Sequence, residues 1–275
     1  MFLLRVGSAL LLIGILIVSV WFSRGPTAIV PLVVANLLAL GGTLEYFRML
    51  EAKGMKVFKF YGAAAAVIFV STVFFDSYFP HDNDGLEYIA AVVLIIGLFI
   101  LQAFERDSQR AMGNIAGVLS GYVYVAWLWS FIFKVMYYPG VDGRWFVFAL
   151  FLIVKGGDML AYAVGSTIGT RKLIPRISPG KTWEGAAGNL AGGILAGLII
   201  WNWFPCSFSL PAALGMGAVL NIVGQVGDLS ESMLKRDANL KDSSGSIPGI
   251  GGMLDVLDSL LLTLPVLYFY LVFSR

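Results

Sequence analysis

The 275-residue chain has a single cysteine, Cys206, and a single histidine, His81. One cysteine excludes an intrachain disulfide and leaves the redox compartment unwritten. One histidine excludes a His–Cys metal cluster, and a Ser–His–Asp relay anywhere away from His81. Charge is scarce too: Asp, Glu, Lys and Arg make up 13% of residues, against about a quarter in soluble domains. The cations are scattered, which gives nucleic-acid binding no support, and the G-x-x-x-x-G-K phosphate loop is missing.

What the chain has instead is apolar length. Hydrophobic residues make up 58% of it, and mean hydropathy is +0.83. This composition predicts an all-α, polytopic integral membrane bundle. Spans of roughly 20 apolar residues fit nine segments: 2–22, 27–50, 57–79, 86–104, 112–133, 146–168, 183–203, 210–232 and 250–273. The first is too long for a signal peptide and has no small-residue cleavage site after it, so it reads as a span.

Sorting cations by side orients the bundle. With nine spans, one side collects Arg5, Arg48, Lys53, Lys56, Lys59, Arg106, Arg110, Arg171, Lys172, Arg176, Lys181, Lys235, Arg236 and Lys241. The other holds Arg24, Lys134, Arg144 and Arg275, along with the acidic 76–87 loop. Loops rich in Lys and Arg stay in the cytoplasm, which places the N-terminus there.

The chain changes character near residue 145. Residues 1–145 read as scaffold and lipid-facing helices, because spans one to five have few internal charges, and 146–275 as the working half, because from 155 onward polar groups gather within and beside the spans: Lys155, Asp158, Asn189, Asn221, Gln225, Asp228 and Glu231. Gly188, Gly192, Gly193, Gly197, Gly215, Gly217, Gly224 and Gly227 suit close helix packing. Such faces also permit a homodimer.

Three polar groupings stand out. Lys155 and Asp158, three apart on one helix face, either neutralise each other or leave Asp158 for a ligand. The basic loop Arg171 to Gly185 either anchors on anionic lipid heads or binds phosphate itself. In it, Ser178 or Thr182 caps the following helix, whose N-terminus favours an anion, and Lys181 adds a point charge. The last runs from Asp228 to Asp258. Asp255 and Asp258 share a face near the start of the final span, where Asp228 at the end of the preceding one converges with them. Magnesium takes a few carboxylates, water and substrate phosphates. Lys235, Arg236 and Lys241 would meet the remaining phosphate charge, unless the carboxylates simply salt-bridge to them. A second, monovalent cation is compatible with the same carboxylates.

These residues resemble the CDP-diacylglycerol synthase (phosphatidate cytidylyltransferase) family. Its C-terminal signature is matched in register by Ser232, Lys235, Arg236, Lys241, Asp242, Ser244, Ile247, Pro248, Gly251, Gly252, Asp255 and Asp258. The Asp158…Ala161-Tyr162…Gly165…Gly169 and Ser178-Pro-Gly-Lys-Thr-Trp-Glu-Gly185 stretches are similar as well. Two positions depart: Ile250 stands where the family has His, and Val256 where it has Arg. The resemblance implies transfer of a cytidylyl group from CTP to phosphatidate, with Mg²⁺, at the cytoplasmic face of a bacterial inner or plasma membrane. It implies catalytic roles for Lys235, Arg236, Lys241, Asp242 and Asp255, and a metal site at Asp228, Asp255 and Asp258. Substrate contacts fall to Asp158, Arg171, Lys172, Ser178, Lys181, Thr182, Glu184, Ser232, Gly251 and Gly252. A cytidylyltransferase or kinase for another lipid, such as an ether lipid or polyprenol, is the nearest alternative. An ion-coupled transporter using Lys155, Asp158 and Asp228 is a distant one.

Overall fold

A computed structural model of the chain describes residues 14–79, 85–105, 110–204, 208–247 and 251–274. Among these, eight helices are long and apolar enough to cross a membrane. We label them α1 (Ile29–Ala52), α2 (Lys59–Tyr78), α3 (Leu86–Ala103), α4 (Ala111–Met136), α5 (Gly143–Ile168), α6 (Trp183–Trp203), α7 (Leu210–Asp237) and α8 (Met253–Phe273). Residues 14–21 are helical, and the rest of the span predicted at 2–22 lies outside the described residues, as do His81, Cys206 and Ile250. The protein is an all-α integral membrane bundle, as expected from its hydropathy.

Local chemistry sets the helix ends. Asp142, Thr182 and Ser209 each accept a backbone N–H from the first turn of α5, α6 and α7. After α1 the chain turns through Gly54 at φ +75°, and after α7 through Asn239 at φ 58°, both left-handed positions that these residue types tolerate. Helix α7 continues to Asp237, beyond the predicted 232. Its last turn is polar, Ser232 to Asp237, and carries no hydropathy signal.

One expectation needs correction. The basic stretch predicted as a loop is an antiparallel hairpin, β1 (Lys172–Ile174) paired with β2 (Ser178–Thr182). It is too short and too polar for alternation to show, and Pro175 with Arg176 forms its turn.

Helices α5, α6 and α7 pack through glycine. A Cβ on Gly192 would stand 2.9 Å from the Gly157 Cα of α5, and one on Gly188 would stand 2.9 Å from Val164. Gly193 and Gly217 face each other's carbonyls across α6 and α7. Gly227 of α7 lies against the Asp258 carbonyl of α8. Gly215 faces open space, so the small-residue reading does not extend to it. By contrast α3 is peripheral, with Ile89, Val93 and Ile96 exposed as lipid-facing surface would require.

Candidate active site

Each polar segment of the second half ends at the same end of the bundle. The C-terminal parts of α5 and α7 bring Asp158, Gln225 and Asp228; the first two turns of α6 and α8 bring Asn189, Asp255 and Asp258. Antiparallel neighbours joined by short connections do this automatically. The hairpin covers the same end, because the Trp183 N–H donates to the Arg171 carbonyl at 2.9 Å and Arg236 Nε to the Ile177 carbonyl at 3.2 Å.

Between these elements lies a cavity of about 540 Å³. Asp158, Asp228, Asp255 and Asp258 line it, with Lys155, Lys181, Asn189, Gln225, Ser178 and Thr182. An amide relay crosses its floor: Gln225 Nε2 donates to Asn189 Oδ1 at 3.0 Å, and Asn189 Nδ2 donates to Asp158 Oδ1 at 3.2 Å. Lys155 donates to Ser259 Oγ at 2.9 Å and lies 3.8 Å from Asp158, so the predicted pair forms and also ties α5 to α8. Lys181 reaches across from β2 to Asp228 at 2.7 Å. Ser232 Oγ donates to the other oxygen of Asp228 at 3.4 Å.

The remaining predicted residues either lie around the cavity or serve structural contacts at its wall. Lys235 is buried at 8% exposure and ion-paired with both Glu231 and Asp255 at 2.5 Å. Asp255, third residue of α8, reaches back to the N-cap, its Oδ2 accepting from Gly252 N at 2.7 Å and from Ser243 Oγ at 2.6 Å. Glu184 accepts from Thr170 Oγ1 at 2.9 Å and from the Arg171 N–H at 3.3 Å, which anchors the base of the hairpin. Thr182, not Ser178, caps α6, with its Oγ1 3.1 Å from Gly185 N. Arg171, Lys172, Arg236, Lys241 and Asp242 are exposed on this end, outside the cavity lining. Gly251 takes φ +129°, a backbone that side chains rarely adopt, and a Cβ on Gly252 would collide with Ser243 and Glu45.

That last residue was missed by sequence reasoning. Glu45 of α1 is 2% exposed and accepts four hydrogen bonds from the segment around the start of α8. A lone Glu in an apolar span was the available signal, but it fell in the half read as scaffold.

The donor set suits a hard divalent cation. Four aspartates face two lysines in one cavity, and carboxylate oxygens are what Mg²⁺ prefers. Among the described residues no three Asp, Glu, His or Cys side chains stand close enough to hold an ion unaided. Mg²⁺ commonly takes one or two carboxylates and completes its shell with water and substrate phosphates, so the set fits.

Comparison with known proteins agrees with this chemistry. Residues 3–274 match the cytidylyltransferase family. The chain is 32% identical over 249 residues to a phosphatidate cytidylyltransferase of Chlamydia pneumoniae, covering 85% of this chain and 80% of that one. It is 29% identical over 236 residues to the Bacillus subtilis phosphatidate cytidylyltransferase, covering 84% and 85%. A third, from Pseudomonas aeruginosa, is 31% identical over 207 residues, covering 75% and 74%. The chain belongs to the cytidylyltransferase family and is a nucleotidyltransferase, as the C-terminal signature led us to expect.

Proposed function

We propose that the protein transfers the cytidylyl group of CTP to phosphatidate, giving CDP-diacylglycerol and pyrophosphate. The observation that carries this reading is the aspartate- and lysine-lined cavity at the end of a membrane bundle, where a soluble triphosphate and a lipid phosphate meet. A phosphate oxygen of the lipid attacks the α-phosphorus of CTP, forming a new P–O bond. The bond from the α-phosphorus to the oxygen bridging it to the β-phosphate breaks, and pyrophosphate leaves with that electron pair. An ionised phosphate needs no general base, which is compatible with Ile250 in place of His.

Both reactants are anions, so neutralisation and alignment dominate the barrier. Lys181 and Lys155 supply positive charge inside the cavity. Arg171, Lys172, Arg236 and Lys241, exposed around it, draw in the triphosphate and lipid headgroup. Ser178, Thr182, Asn189 and Gln225 offer neutral hydrogen bonds that orient ribose or base. Lys235, Glu231 and Asp255 act as a buried clasp that fixes α7 against α8. Asp228 and Asp255, with Asp258, are the proposed ligands of Mg²⁺, which would offset phosphate charge and polarise the bond to pyrophosphate.

The excess of cations at this end supports a cytoplasmic site, an N-terminus on the same side and residence in a bacterial inner membrane. The test is direct. Purified protein with phosphatidate, labelled CTP and Mg²⁺ should yield a labelled lipid that EDTA abolishes. CTP binding without product across several phosphatidates would point to another lipid acceptor. Failure to bind CTP would sink the reading.

A further inference from the structure

Glu45 belongs to α1, in the half of the chain that contributes nothing to the cavity wall. Its carboxylate nonetheless accepts from Met253 N at 3.0 Å and Leu254 N at 2.9 Å, the first two residues of α8. It also accepts from Ser243 Oγ at 2.9 Å and Ser244 Oγ at 2.5 Å. Two of the orphan N–H groups at a helix start are thereby satisfied by a carboxylate supplied from some 200 residues away in sequence. The negative charge sits at the positive end of the helix dipole. No lysine or arginine pairs with Glu45 among the described residues; its charge is met by dipoles alone.

The contact leads to the reaction site in two steps. Ser243 Oγ lies between Glu45 Oε2 at 2.9 Å and Asp255 Oδ2 at 2.6 Å, so its single proton serves one carboxylate at a time. Asp255 in turn holds Gly252 N and Lys235, and Asp258 enters the cavity one turn further along the same helix. A buried carboxylate that binds only backbone N–H groups and serines also has no simple packing reason to be in an apolar span.

We infer that Glu45 is a positioning residue: it fixes the start of α8 through Met253, Leu254 and Ser243, and so sets where Asp255 and Asp258 present their oxygens to the cation and the triphosphate. This rests on the cytidylyltransferase reading of the cavity. Glu45 touches no substrate.

The test compares wild type with Glu45→Gln and Ser243→Ala in the full-length, detergent-solubilised protein. Three quantities are measured: kcat per folded molecule, KM for CTP, and binding of Mn²⁺ in the presence of CTP by electron paramagnetic resonance. Loss of a residue that orients metal-binding groups costs about 10–100-fold. Glu45→Gln should lower kcat and weaken Mn²⁺ binding by that order, with KM for CTP little changed. Ser243→Ala, which leaves the two backbone contacts in place, should show the same pattern more weakly, and it serves if Glu45→Gln does not fold. Variants that melt earlier but keep wild-type kcat and Mn²⁺ affinity would show a purely structural role and overturn the inference. A raised KM at unchanged kcat would overturn it also, by placing Glu45 in substrate contact. Wild type that binds Mn²⁺ but forms no CDP-lipid would sink the parent reading alone; the Mn²⁺ comparison would still decide the role of Glu45.

Discussion

Lys181 Nζ and Asp228 Oδ2 stand 2.7 Å apart, joining the hairpin to α7 across the cavity. On the proposed reading the pair holds the cavity together until substrates arrive, and each partner would then exchange it for another: Lys181 for the triphosphate, Asp228 for a divalent cation. Lys181→Ala should therefore reduce kcat/KM for CTP by about 100-fold, the scale of one lost transition-state donor. Lys181→Arg, which keeps the charge, should retain more. Steady-state kinetics at saturating Mg²⁺ decide this; an Ala variant within a few-fold of wild type would remove Lys181 from the reaction.

Asp228→Asn and Asp258→Asn should each abolish turnover while the protein stays folded, because neither side chain satisfies the start of a helix as Asp255 does, and an amide at 228 can still accept from Lys181. Asp255→Asn should behave differently. It should lose activity and also melt earlier, since Asp255 accepts the Gly252 N–H at the start of α8 and pairs with Lys235. Thermal unfolding followed beside the CDP-lipid assay separates the two patterns.

Lys235→Met would leave Glu231 and Asp255 facing each other without a counter-charge in a site where Glu231 is fully buried. Removing one member of a buried ion pair costs about 3–5 kcal/mol. A large drop in melting temperature is expected, together with inactivity. Full thermal stability with lost activity would instead return Lys235 to direct phosphate contact.

Gly192→Val should destabilise the bundle, since a Cβ there already stands 2.9 Å from Gly157. Overpacking of this kind costs about 1–3 kcal/mol. Gly215→Val, on the same class of residue but with open space beside it, should be nearly neutral and is the control.

Sidedness is checked by single cysteines introduced at Lys172 and at Val141 in a chain with Cys206 replaced by serine. A membrane-impermeant maleimide applied to intact cells should label Val141→Cys and spare Lys172→Cys. The reverse pattern would invert the bundle.

The helices were legible in sequence because lipid demands long apolar runs, and 183–203 was bounded to the residue by Thr182 and the end of its apolar run. The convergence of Asp228, Asp255 and Asp258 was legible as well, since antiparallel spans return polar ends to one side, whereas Asp158, read as part of a separate pair with Lys155, joins them only in the structure. The hairpin was not, because the eleven residues Lys172 to Thr182, with two prolines and only Leu173, Ile174 and Ile177 apolar, show no strand period. Nor was the division of labour among the charges. Lys235 and Lys181 look alike in sequence, yet one is locked between two carboxylates and the other faces the cavity. That distinction depends on which way each side chain leaves its element, which spacing alone does not report. Glu45 was lost for a related reason: its partners lie at the far end of the chain.

The contact between Gly227 and the Asp258 carbonyl has a bearing on ion choice. Two helices whose main chains touch cannot slide closer, and any side chain at 227 would wedge them apart. The separation of Asp228 from Asp258 is thus gauged by bare backbone, the stiffest ruler a helical protein has. If these two carboxylates hold Mg²⁺ as proposed, cations differing by a few tenths of an ångström in radius would meet carboxylates whose helices have little room to approach. Selectivity for a small ion would then be inherited from how the helices pack, with the proposed carboxylate ligands themselves common to many metals.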